Sequence, residues 1–110
     1  MSKLTDDKEL LELAAKAAGI EIEWYAPNVE VWDFAQVPNW NPLTDDGDAL
    51  RLAVKLNLEV SFDNEPDGPI ICVDSSFIDI PYMIEDLGKD PYAATRRAIV
   101  RAAAEIGKGM

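Results

Sequence analysis

The chain contains no histidine. Histidine is the side chain whose unperturbed pKa lies nearest neutrality, so the commonest general base is missing. One cysteine, Cys72, excludes an intramolecular disulfide and makes a reducing compartment the default. It sits in an apolar run and reads as a small buried hydrophobe. No apolar run approaches the roughly 18 residues a membrane span needs. The start, MSKLTDDKELL, has no apolar signal core, so the sequence predicts an intracellular protein without membrane attachment. Phosphate-binding loops and dinucleotide fingerprints are absent as well. Basic residues are few: ten against 21 acids, a net charge of −11. Residues 91–110 nevertheless carry Arg96, Arg97, Arg101 and Lys108 against Glu105 alone, so the rest of the chain is more acidic still. Direct nucleic-acid binding needs clustered Lys and Arg and is not expected of such a body.

What remains is a sequence of 110 residues, about half of them apolar, which predicts a single domain over residues 1–110. A first helix is expected from Asp6 to Ala18, capped by Thr5 or Asp6, with an Ala-rich face able to approach a sheet closely. Gly19 follows as its stop. IEIEWYA alternates with a period of two and reads as a strand, and Val29–Phe34 as a second strand in a hairpin with it. A second helix is expected over residues 44–56, with Ala49, Leu52, Ala53 and Leu56 as its apolar stripe, Val54 at its edge and Asn57 ending it. LEVSF and IICVD are the next strands, separated by the turn-rich DNEPDGP. IICV is apolar on both faces and is placed centrally. The order αββ, αββ is a weak internal echo. Residues 75–89 lack a steady period, and Pro81 interrupts any regular element. They are read as an extended piece and then a helical turn around residues 83–87, closed by Gly88. A final helix is capped by Asp90, with Pro91 in its first turn, and ends at Gly107. The fold class is therefore α/β (α+β). Three main helices and about four strands in a mixed or antiparallel sheet form a three-layer alpha-beta-alpha sandwich.

The most conspicuous chemistry is NWNPLTDDGDAL, where Asp45, Asp46 and Asp48 crowd together. An EF-hand loop would need acidic ligands at alternating positions and a glutamate at the twelfth; counted from Asp46, the fifth is Leu50 and the twelfth Asn57. Thr44, Asp45 and Asp46 instead suit a helix start, where free N–H groups favour carboxylates, and Asp90 does the same for the last helix. Ser75, Ser76 and Cys72 have no imidazole partner. No catalytic residue, cofactor or metal ligand is expected. The aromatic residues Trp24, Tyr25, Trp32, Phe34 and Trp40 fall close together. Core packing is the first reading for the tryptophans, with Trp24 and Trp32 inside and Trp40 as a lid on the second helix. Where they are exposed, Tyr25, Trp32 and Trp40, with Arg96, Arg97 and Arg101, form the candidate partner surface, since Trp, Tyr and Arg dominate interaction hot spots.

WNPLTDDGDALRLAVKLNL and, later, DPYAATRRAIVRAAAEIG resemble the phage ABA sandwich domain family of small uncharacterised bacteriophage and prophage proteins. The two segments occur in order and cover about a third of the chain. The resemblance implies a sheet with helices on both sides and a phage product acting in the host bacterial cytoplasm. It implies no activity or ligand. The leading expectation is an accessory protein that acts through protein–protein interaction, with a homo-oligomer formed between its acidic body and basic last helix as one form of it. The alternative is an acidic inhibitor whose carboxylates over residues 59–90 imitate phosphates on a host nucleic-acid-binding protein. A third reading is a metal-dependent enzyme using Asp45, Asp46 and Asp48.

Overall fold

The computed structural model describes residues 3–20, 22–24, 32–34, 40–75, 83–88 and 90–110. Its elements run α1 (Lys3–Ala18), β1 (Ile22–Trp24), β2 (Trp32–Phe34), α2 (Asp46–Lys55), β3 (Leu58–Glu65), β4 (Gly68–Ser75), β5 (Met83–Asp86) and α3 (Pro91–Lys108). The class is mixed α and β, with three helices. The strands form a three-stranded antiparallel sheet, β3-β4-β5, and a separate antiparallel pair, β1-β2, rather than one sheet of four.

The apolar strand β4 takes the central place its composition demands. Ile71, Val73 and Ser75 point to one side and are buried, while Ile70, Cys72 and Asp74 point to the other and are half-buried. Register places Phe62 and Glu85 beside Ile71, and Val60 beside Val73, on the same side as these buried residues. That side packs against α3, with α2 alongside α3 and β3. Helix α1 lies against α3. Its small residues therefore serve a helix–helix contact rather than the expected contact with the sheet: Leu11, Ala14, Ala15 and Ala18 are buried beside Ala98, Val100, Ala102 and Ala103 in one core.

Helix α3 is the hub. Its second half is buried almost all round because α1 and the sheet close on it from different sides. Gly107, expected as the stop, lies inside the helix. A Cβ there would meet the Leu13 carbonyl oxygen at 2.1 Å. Only glycine lets the two backbones approach this closely, so its role is contact with α1 and the helix continues to Lys108.

Three other expectations are corrected. Helix α1 begins at Lys3, so Thr5 and Asp6 lie within it and do not cap it. Residues 83–86 form a strand, not a helical turn: their backbone completes the sheet along β4. The turn between β3 and β4 shrinks to Pro66 and Asp67, because the polar residues Asp63 to Glu65 pair with β4 as an exposed strand. The predicted ends of the middle helix are better matched. Asn57 sits at φ 55, the left-handed conformation that asparagine tolerates just past a helix.

Candidate functional site

The junction 40–51 is held by its own side chains. The Asn41 carbonyl accepts from the Thr44 and Asp45 amides, and the Asn41 side-chain oxygen from the Leu43 amide at 3.0 Å. Asp45 is the N-cap of α2: its carboxylate accepts from the Asp48 amide at 2.8 Å. Thr44 lies one residue before the cap and donates its hydroxyl to the Asn41 carbonyl. Asp46, the first helical residue, pairs with Arg96 of α3 at 2.6 Å. Asp48 is buried, accepting from the Asn41 amide at 2.9 Å and from Arg51 at 2.8 Å. Asp45 and Asp48 share Arg51, at 3.9 and 2.8 Å, while Asp46 turns away to Arg96. Among the described residues, no three His, Cys, Asp or Glu side chains are grouped so as to hold a metal ion. Asp90 caps α3, accepting from the Ala93 amide at 3.0 Å.

The arginines of α3 each reach a different element. Arg96 binds Asp46 and, through Nε, the Leu43 carbonyl at 2.8 Å. Arg97 binds Asp7 of α1 at 3.0 Å, and Arg101 pairs with Glu85 of β5. These pairs tie the hub helix to three neighbours, with the arginines themselves partly buried. A charge already neutralised and partly desolvated in this way is poorly placed to receive a partner. Trp40 takes the packed place expected of it against the second helix rather than a place on the candidate surface: only 3% of it is exposed, and it belongs to the core with Ala49, Leu52 and Ala53. Tyr25 and the Trp32 side chain lie outside the described residues.

A different surface stands open. Between α2, β3 and the first turns of α3 runs a groove of about 290 Å³. Ala49 and Leu50 line one wall, Val60 and Phe62 the floor, and Pro91, Tyr92 and Ile99 the other wall. The Asp46–Arg96 pair belongs to its lining. Phe62 is 63% exposed, Tyr92 67% and Leu50 64%, and Val54 follows Leu50 one turn along α2, also exposed. The alternation of Leu58, Val60 and Phe62 puts them on one face of β3 but does not say whether anything covers it. The signal for an open one was Leu50 and Val54, apolar residues off the Ala49, Leu52, Ala53 and Leu56 stripe. Tyr92 stands in the groove's open wall.

On the other face of the sheet is Cys72, a free and half-buried thiol. Burial raises its pKa, and the charges of Asp74 and Asp63 raise it further.

No known family, curated protein or solved structure matches this chain. Among the described residues, no helix is long and apolar enough to cross a membrane.

Proposed function

We propose that the chain is a small accessory protein that works by holding another protein in the groove between α2, β3 and α3. The supporting observation is the set of large apolar side chains left open there on three converging elements, Leu50, Phe62 and Tyr92. Partly covered aromatic and aliphatic anchors beside a concavity are what a partner's side chains fill. A phage or prophage origin, action in the host bacterial cytoplasm and a three-layer sandwich are parts of the same proposal and rest on the resemblance of residues 40–58 and 90–107.

Photo-crosslinking in the producing cell tests the groove. A photoreactive phenylalanine at position 62 is expected to yield a discrete protein adduct, and the same residue at the exposed Glu12 of α1 is not. Equal labelling at both positions, or none at position 62, would count against the groove.

A second reading draws on the β3–β4 hairpin, where residues 58–75 hold Glu59, Asp63, Glu65, Asp67 and Asp74 and no base. Such a row suits phosphate mimicry toward a basic protein. That reading requires the chain to displace DNA from its target, with displacement lost when these acids become amides.

A further inference from the structure

Resting on the groove reading, we propose that the occupant is an extended segment of a partner protein that alternates apolar and basic residues and adds to the sheet along β3. Three features converge on this occupant. First, β3 is an edge: among the described residues it pairs with β4 and with no other strand. Its outward backbone groups are a template for strand addition. Second, the two faces of β3 differ. Val60 and Phe62 open into the groove, while Glu59, Ser61, Asp63 and Glu65 alternate with them on the other side. A strand laid beside β3 inherits the same alternation, so every second side chain enters the groove toward Leu50 and the rest stand beside carboxylates. Third, the hairpin carries five acids and no base, so the second set must be lysine or arginine.

The same pattern argues against a second copy of the chain as occupant. Two β3 strands paired with their apolar faces matched would set Glu59 and Asp63 of one copy directly or diagonally against acids of the other. Like charges across a strand pair destabilise it. The groove therefore favours a chain of opposite charge.

The test uses the full chain and three synthetic nine-residue peptides, alternating Val/Lys, Ser/Lys and Val/Glu, with binding read by fluorescence anisotropy. The Val/Lys peptide is expected to bind and to slow amide hydrogen exchange over residues 58–65. Its binding should weaken by about tenfold or more between roughly 0.05 M and 0.5 M salt. The Ser/Lys and Val/Glu peptides should bind about tenfold more weakly or not at all. Replacing Glu59→Lys together with Asp63→Lys should reverse the preference in favour of Val/Glu. Both sites are exposed, and circular dichroism would verify that the variant is folded.

Equal binding of Val/Lys and Ser/Lys without protection of residues 58–65 would reduce the effect to charge and overturn the proposal. Concentration-dependent dimerisation that protects residues 58–65 would install a second copy instead. If none of the peptides binds, the strand proposal fails, while the crosslink at position 62 still decides whether the groove is used.

Discussion

At the scale of single residues, the positions that matter most are defined by what would collide with them or be left unpaired. Gly107 carries no side chain, yet α1 and α3 could not meet as they do with anything larger. Gly107→Ala is expected to lower the unfolding free energy by about 1–3 kcal/mol through overpacking against the Leu13 carbonyl. The companion Gly109→Ala, whose added carbon would lie 3.6 Å from its nearest neighbour, should change it by less than about 0.5 kcal/mol. Urea denaturation of the two variants measures both. Cys72 poses a different question. Its raised pKa keeps the thiol protonated, first through burial and then through Asp74 and Asp63. Because the thiolate is the nucleophile, alkylation at mildly alkaline pH should be slower in the folded chain than in urea. Asp74→Asn should accelerate it. The sign for stability follows: a pKa raised on folding contributes stability that is present below the unfolded value and lost as pH rises through the folded one. Cys72 therefore weakens the fold only on the alkaline side.

At the scale of elements, burial separates core from open surface within a single sheet. Ile71 on β4 and Phe62 on β3 are register partners on the same face. Ile71 is fully buried, and Ile71→Ala is expected to cost about 2–5 kcal/mol. Phe62→Ser removes a side chain that is mostly in solvent. It should shift stability by less than about 1 kcal/mol while abolishing the crosslinked adduct formed from the groove. Denaturant midpoints, together with adducts trapped from a photoreactive residue at Tyr92, check the pair. The sequence disclosed the elements with strong local signals: the Asp90–Pro91 start of α3, the Asp45 cap of α2, and the central place of β4. It concealed those decided by distant partners. β5 lacks a period because what makes it a strand is its pairing with β4. The Gly107 signal was seen but misread, since a glycine near a helix end looks the same whether it stops the helix or admits a neighbour. The three arginines of α3 looked free because Asp46, Asp7 and Glu85 are far from them in sequence. The groove was hidden because alternation shows which residues share a face, not whether anything covers it.

At the scale of the whole molecule, an acidic chain has placed its few arginines where they hold the fold. Arg96, Arg97 and Arg101 join α3 to α2, α1 and β5, so a head-to-tail contact between acidic body and basic helix loses its basic half. Sedimentation should therefore show a monomer at both low and high salt; a dimer that dissociates in salt would restore that contact. The aspartates of the 45–48 turn are structural: Asp45 caps α2, and Asp48 holds the Asn41 amide and Arg51. They fix α2 as one wall of the groove that we propose as the working surface. The most direct test is thermal and urea unfolding of the parent chain and Asp48→Ala, each with and without calcium, magnesium and manganese. We expect Asp48→Ala to lose about 2–3 kcal/mol, because the Asn41 amide and Arg51 lose their acceptor, and the metals to leave the parent unchanged. A variant as stable as the parent, or a strong metal-dependent rise in the parent's melting temperature that Asp48→Ala abolishes, would contradict it.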